Sequence, residues 1–266
     1  MIYSDLHTHT IYCDGKCTPR EMIETAIEKK LPAIGFSAHA YTFFDTSYCI
    51  KEEAVATYLA ELRALKEEYR DKIAVYIGFE VDALAKTPTE AVDYRIGSAH
   101  YIKVGDRYYD VDLSLEAAKK TVTDVFGGDA DAYAEAYYET LATVGCHKPS
   151  IIGHFDLVTK YNEKEPLVNT ASPRYIAAWQ RCADTLLSLG VPFEINTGAM
   201  SRGHRTAPYP SKEILTYLKE KGAFFVLSGD AHHKDTIGFA FDRAIDYAKA
   251  CGITEFCNNT IQFAQK

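Results

Sequence analysis

Ile2-Tyr3-Ser4-Asp5-Leu6-His7-Thr8-His9-Thr10, followed by Ile11-Tyr12-Cys13-Asp14-Gly15, is the stretch on which the reading of this chain turns. An apolar run of strand length ends in two imidazoles two residues apart. Alternate residues of a strand face the same side, so both rings point one way and can grip one ion. By itself a His-x-His pair is equally a polar strand end with two solvated rings. The remainder of the chain decides between the two.

Outward from that stretch, apolar runs of strand length alternate with stretches of helical period, the pattern of repeated βα units. Strands are predicted near residues 2–6, 33–37, 73–79, 94–99, 150–153, 192–195 and 223–227. Thr18-Pro19-Arg20-Glu21 puts a hydroxyl at the cap, proline first in the helix and glutamate third, which opens a helix to about Lys30. Ser172-Pro173 opens another through Leu189, stopped by Gly190. Residues 51–69 and 211–221 read as charged amphipathic helices of an outer layer. Seven strands predict an α/β fold of the (β/α)7 barrel type, TIM-barrel-like with one unit fewer than eight, and residues 253–256 are a candidate extra strand. Residues 103–148 exceed an ordinary crossover and read as a helical insertion of two helices, one carrying Tyr133, Tyr137 and Tyr138. That aromatic face either covers the barrel mouth or packs as core. One domain spanning residues 1–266 is expected, since a barrel of this length forms a single core.

A formal charge of −8 and a pI near 5.6 leave no broad basic surface for a polyphosphate backbone, so nucleic acid is not an expected partner. A small anionic substrate is still compatible if metals and a few cations gather in one pocket. The seven cysteines are scattered without a Cys-x-x-Cys pair, which is reduced, cytoplasmic usage. The N-terminus lacks a basic region before an apolar stretch, and no apolar run approaches the roughly 18 residues of a membrane span. A soluble cytoplasmic protein without a membrane partner is expected; its oligomeric state is open.

In α/β barrels the functional groups gather where the strands end, because the βα loops there form the shared concave surface. The first predicted strand is followed by His7 and His9, the second by His39, the third by Glu80, the fourth by His100, the fifth by His154 and Asp156, the sixth by Asn196 and the seventh by Asp230 and His232. Six of these are among the chain's nine histidines, and surface histidines would be spread over helices and loops. Strand ends that all carry ligand-type residues are a metal constellation.

Taken in order, Asp5-Leu6-His7-Thr8-His9-Thr10, Tyr12-Cys13-Asp14-Gly15, Ser37-Ala38-His39, Gly97-Ser98-Ala99-His100, Gly153-His154-Phe155-Asp156 and Gly229-Asp230-Ala231-His232 resemble the successive motifs of the polymerase and histidinol phosphatase (PHP) family. The match runs from the first strand to the last. The length, the lack of a polymerase domain and the Gly-Ser-Ala-His element are similar to those of its monofunctional histidinol-phosphatases. The resemblance implies a distorted (β/α)7 barrel with two or three divalent transition-metal ions, Zn, Fe or Mn, in its mouth. Carried over residue by residue, it implies His7, His9, Glu80 and Asp230 on one metal. Glu80 would bridge to a second with His100 and His154, and Asp14, His39 and His232 would hold a third. Asp14 stands where many relatives have histidine, and Asp156 is expected to position a ligand imidazole from behind.

A carboxylate shared by two ions offsets their repulsion, and mixed imidazole and carboxylate donors suit Zn²⁺, Fe²⁺ or Mn²⁺ over Mg²⁺ or Ca²⁺. Phosphomonoester hydrolysis needs an activated water, neutralised phosphoryl oxygens and a stabilised leaving alkoxide, all of which such ions supply. The expected substrate is a small-molecule phosphate ester, L-histidinol phosphate by the resemblance, with catalytic roles for Asp230 and His232. Arg202, after the sixth strand, is the first candidate for phosphate binding because a planar fork matches two oxygens; Lys160 is the second. His204 and Arg205 rank below them, His233 beside His232 is a low-ranked candidate for the proton donor to the leaving oxygen, and His147 is expected on the surface. The competing readings are another PHP phosphoesterase acting on nucleotide, sugar or phosphotyrosine esters, a barrel hydrolase of carbon–nitrogen bonds, and a non-catalytic metal-binding module.

Overall fold

The structure is a computed structural model that describes residues 2–260. Helix α1 (Pro19–Glu28) starts as its sequence dictates: the Glu21 N–H donates to the Thr18 hydroxyl, and the Glu21 carboxylate accepts the Thr18 N–H. It leads into β1 (Ala33–His39), buried throughout, then α2 (Val55–Glu68), β2 (Ala74–Asp82) and β3 (Tyr94–Ser98). A hairpin of β4 (Tyr101–Val104) and β5 (Arg107–Asp110) follows, then α3 (Leu115–Phe126) and α4 (Ala130–Ala142). The chain continues through β6 (Ile151–Ile152), α5 (Pro173–Leu187), β7 (Phe193–Asn196) and the short α6 (Gly198–Ser201). Helix α7 (Lys212–Glu220), β8 (Phe225–Ser228) and α8 (Phe241–Lys249) complete it.

Among the described residues β1, β2, β3, β6, β7 and β8 form one parallel sheet in that order. The β1–β2 register sets His39 beside Glu80, and the β7–β8 register sets Asn196 beside Ser228. The carboxyl ends of the strands therefore share one rim. The first predicted strand differs from a regular ladder. Residues 5–9 touch their neighbours through isolated parallel bridges, Asp5 with Ile34 and Thr8 with Ala231. The Gly35 and Ser37 amides donate to the carbonyls of Asp5 and Thr8 on one side, and the Ala231 amide donates to the His7 carbonyl on the other. The segment thus closes the curled sheet between β8 and β1 as a seventh stave, giving a distorted (β/α)7 barrel. Its irregularity has a cause in Asp5, whose buried carboxylate takes the amides of Gly229 and Gly238, at 3.0 and 2.9 Å.

Three expectations are corrected. Residues 253–256 form no strand; the chain there meets the sheet through the Cys257 amide and the Phe225 carbonyl. The β4–β5 hairpin was not anticipated, because four-residue strands around Gly105 give too short an alternation to read. His147 is buried: Nε2–H donates to the Ala83 carbonyl at 3.2 Å, and Nδ1 accepts from the Thr87 hydroxyl at 2.6 Å, a satisfied core imidazole.

Tyr133, Tyr137 and Tyr138 are core residues. Burying an aromatic side chain of this size stabilises by roughly 2–3 kcal/mol. The Tyr138 hydroxyl meets that of Tyr175 on α5 at 3.0 Å, and the Tyr137 hydroxyl donates to the Phe155 carbonyl at 3.2 Å. Helix α4 therefore steadies the loop that carries His154. Among the described residues no helix is long and apolar enough to cross a membrane.

Candidate metal centre

Glu80, near the end of β2, is the pivot of the barrel mouth. Its Oε2 lies 3.1 Å from His7 Nε2, 3.4 Å from His9 Nε2 and 3.1 Å from His39 Nδ1. Its Oε1 lies 2.9 Å from His154 Nε2 and 3.3 Å from His100 Nε2. One carboxylate thus faces imidazoles from four strand ends, two sets on its two oxygens. Asp230, just past β8, turns Oδ1 to His7 Nε2 and His9 Nε2, at 3.7 and 3.4 Å. Asp14 turns Oδ2 to His232 Nε2 at 3.0 Å and Oδ1 to His39 Nε2 at 3.7 Å.

The donor atoms fall into overlapping groups: His7, His9 and Asp230; His39, Glu80 and His100; and His9, Asp14, His39 and His232, with the ligand atoms of each group within 4.8 Å of one another. His9 and His39 each belong to two groups, where the family pattern gives each a single ion. The His9 ring stacks against those of both His39 and His232, with centroids 4.4 and 4.1 Å away.

The electrostatics suit cations. Burial alone would push the Glu80 carboxyl up, but His7, His39 and His100 hold it well below the usual range. Burial likewise opposes ionisation of Asp230, and Arg202 and His7 outweigh it and hold that carboxyl low. Burial together with His232 and His39 brings His9 down to about 3, so its ring is the neutral form that ligates metal. His9 Nε2 and Asp14 Oδ1 are buried without a hydrogen-bond partner. A polar atom left in that state costs about 1–3 kcal/mol, and a cation between the groups would engage both. Nitrogen and oxygen donors in this mixture fit Zn²⁺, Fe²⁺ or Mn²⁺.

Two supporting acids escaped the sequence reading. Glu194 on β7 places Oε1 2.7 Å from His7 Nδ1, while its Oε2 accepts the His154 amide and the Asn196 side chain, each at 3.0 Å. Its signal was legible: a lone charge inside the apolar run Pro192–Ile195. Asp82 accepts the His100 amide at 2.7 Å and lies 3.4 Å from His100 Nδ1. It stands two residues after Glu80 and so faces the same side of β2. Asp156, expected behind an imidazole, is corrected: its Oδ2 accepts the Ser211 amide at 3.0 Å and faces Arg205 at 3.8 Å, because the turn after β6 carries it away from the ring. Gly198 is required by close approach, since a Cβ there would lie 2.5 Å from Asp230 Oδ2.

The centre opens into a cavity of about 260 Å³ that both expected phosphate-binding cations line. Arg202 reaches Asp230 Oδ2 at 3.1 Å, and Lys160 reaches Asp112 Oδ2 at 2.8 Å. Lys160 is buried, unlike a solvated loop cation. His204, Arg205 and His233 do not line this cavity: Arg205 donates to Thr159 Oγ1, His204 lies beside Lys164, and His233 is exposed against Asp235.

The PHP domain profile matches residues 5–198. A Schizosaccharomyces pombe protein named "Probable histidinol-phosphatase" is 27% identical, covering 94% of this chain and 87% of its own length. The histidinol-phosphatase of Bacillus subtilis is 26% identical over 91% of this chain and 98% of its own. A solved structure of histidinol phosphate phosphatase from Lactococcus lactis subsp. lactis, complexed with Zn, L-histidinol and phosphate, is similar in fold with a TM-score of 0.74. It is 22% identical and covers 96% of this chain and 95% of that one.

Proposed function

The chain belongs to the PHP domain family, and from that premise we propose that it is a metal-dependent phosphatase that hydrolyses L-histidinol phosphate to L-histidinol and phosphate, a step of histidine biosynthesis. The carrying observation is that one cavity is lined by the buried imidazole and carboxylate donors around Glu80 and by Arg202 and Lys160. The alcohol is assigned from the relatives, which are named for histidinol phosphate hydrolysis.

His7, His9, Asp14, His39, Glu80, His100, His154, Asp230 and His232 hold two or three divalent ions. Bound there, those ions supply a nucleophilic water at neutral pH and positive charge for the phosphoryl oxygens and the departing alkoxide. Glu80, shared between the groups, neutralises part of the charge that close cations would otherwise set against each other. Arg202 donates its planar fork to phosphate oxygens, and Lys160 adds a second positive charge on the same side of the cavity. Both then exchange the carboxylate partners they now hold, Asp230 and Asp112, for phosphate. Asp230 lies beside His7, His9 and Arg202, where its ionised carboxylate would help hold the ions and accept a hydrogen bond from the attacking water, orienting it toward phosphorus. His232, with Nε2 on Asp14 and Nδ1 on the Asp230 backbone carbonyl, steadies the turn that carries that carboxylate. The proposed substrate is a small molecule, no proposed step uses a nucleic acid or a membrane, and seven scattered cysteines without a disulfide-type pattern support the reading of a cytoplasmic enzyme.

The test is phosphate release from histidinol phosphate beside nucleotide, sugar and phosphotyrosine esters, on protein whose bound metals have been counted. Preference for histidinol phosphate with two or three ions bound is the expected result. Bound metals with a preference for another ester would keep the chemistry and discard the pathway, and metal-loaded protein inert toward every ester would leave only a metal-binding module.

A further inference from the structure

The cavity has a second wall that the chemistry at phosphorus does not use. Loop residues Asp45, Ser47 and Tyr48 line it together with Tyr101, Asp110 and Leu113 of the β4–β5 hairpin and its exit. Loop and hairpin are zipped together by aromatic rings: Phe44 stacks on Tyr108 at 3.9 Å with the planes 2° apart, and its ring meets Tyr101 edge-on at 5.0 Å. The Tyr101 hydroxyl donates to Asp45 Oδ2 at 2.7 Å. Tyr48 and Tyr101 lie 5.9 Å apart with their planes 28° from parallel, and Tyr48 also abuts the His39 ring at 4.8 Å. This wall therefore reaches the metal donors directly and is braced against movement.

Asp110 is its distinctive member. The amides of Asp112 and Leu113 donate to its Oδ1 at 2.7 and 2.5 Å, which fixes the carboxylate at the end of β5. The next residue, Val111, donates its amide to the His100 carbonyl, so Asp110 sits one residue from a backbone bond to the centre. Lys160 is taken by Asp112; among the described residues no Lys or Arg forms an ion pair with Asp110. Neither Asp110 nor Asp45 belongs to the metal-donor groups. Burial and the neighbouring Asp112 raise the Asp110 carboxyl, partly offset by its two amide bonds and by the His100 ring, so keeping it ionised at this wall carries a cost. A cation arriving in the cavity would relieve that cost, and the tyrosine faces beside it favour ammonium and imidazolium groups.

We propose that Asp110, assisted by Asp45 across the Tyr48–Tyr101 face, is the specificity determinant of this enzyme, binding the cationic amine end of the substrate alcohol while Arg202 and Lys160 hold the phosphate. The cavity then offers its substrate both signs of charge, with Arg202 and Lys160 for the phosphate. On the loop-and-hairpin wall stand Asp110, which among the described residues has no ammonium or guanidinium partner, and Asp45, which the Ser47 amide and the Tyr101 hydroxyl hold ionised. The inference rests on the phosphatase reading above, and it extends it to a class, phosphomonoesters whose alcohol is positively charged.

Asp110→Asn keeps the Oδ1 that accepts the two amides and removes only the charge. Steady-state kinetics of the metal-loaded wild type and variant on L-histidinol phosphate and on glycerol phosphate, a neutral-alcohol ester, separate the possibilities. The expected result is a KM for histidinol phosphate raised about tenfold or more, with little change in kcat and with kcat/KM for glycerol phosphate within about twofold of wild type. Asp45→Asn should shift the same KM in the same direction by less. Calorimetry supplies a reading without turnover: L-histidinol binds more weakly to the Asp110→Asn variant by a similar factor, and inorganic phosphate binds as to wild type. Equal losses on both esters would assign Asp110 a structural role and overturn the inference, as would an unchanged KM for histidinol phosphate. Wild-type protein inactive on histidinol phosphate would sink the phosphatase reading itself, a different result from an active wild type with an indifferent variant.

Discussion

His7 Nδ1 and Glu194 Oε1 lie 2.7 Å apart, both fully buried, and the remaining Glu194 oxygen is held by the His154 amide. The pair fixes which His7 nitrogen faces Glu80 and Asp230. A carboxylate behind a ligating imidazole raises the basicity of the ring and locks its orientation. Glu194→Gln keeps the hydrogen-bonding shape without the charge, so metal affinity should fall about 10–100-fold. Competition with a chelator measures this. Glu194→Ala, which strands His7 and the His154 amide, should also lower the melting temperature; unchanged metal affinity in both variants would remove Glu194 from the centre.

Removing the ions with a chelator should abolish turnover, and Zn²⁺, Mn²⁺ or Fe²⁺ should restore it. His9→Ala and Glu80→Ala should each remove activity while leaving the far-ultraviolet circular dichroism of the barrel intact, because both side chains project from strand ends whose backbone pairing does not involve them. Near-normal activity in either variant would contradict the ligand assignment.

Arg202→Ala should reduce kcat/KM for every phosphate ester by about 10²-fold or more, whatever the alcohol. Arg202→Lys should recover little of it, since an ammonium cannot supply the two parallel donors of the guanidinium. A loss confined to one ester would show that Arg202 reads the alcohol and not the phosphate.

Asp5 gives the stability a pH dependence. Burial raises its carboxyl from an ordinary 3.8 to about 6 in the fold, against the opposing amide bonds of Gly229, Gly238 and His7. The folded state therefore holds this proton more tightly than the unfolded chain. The stabilisation is present in full below pH 4 and is lost as pH rises through 6, an amplitude on the order of 3 kcal/mol. Urea denaturation of metal-free protein between pH 4 and 7.5 should show this component in the wild type and lose it in Asp5→Asn; parallel curves for the two would refute it.

Much of the site was legible because strand pairing and metal ligation both leave period-two signatures. His7 with His9 is a same-face pair on extended chain, and an apolar run followed by a ligand-type residue recurs along the sequence; Asp82 has the same relation to Glu80 and was passed over. The barrel followed from the alternation of those runs with capped helices such as α1, whose Thr18 and Glu21 make the reciprocal bonds their spacing predicts. Residues 103–148 were less legible. The short β4–β5 hairpin carries too few residues to show alternation, and tyrosines at helical spacing are the same signal whether they cover a cavity or fill a core.

The sequence by itself determined which residue types stand at the strand ends, because that depends only on local order along the chain. Which of them meet was decided by tertiary structure alone. The curl of the sheet brings Glu80 within reach of five imidazoles from four strand ends, and the closing segment sets His9 against both His39 and His232. Glu194 became the partner of His7 across 187 positions of sequence, Asp156 turned to Ser211 and Arg205, and Asp110 came to the cavity wall on a hairpin. The physical reason is that imidazole–carboxylate contacts act over about 3 Å in space, whereas sequence periodicity fixes only the face on which a side chain leaves its own strand.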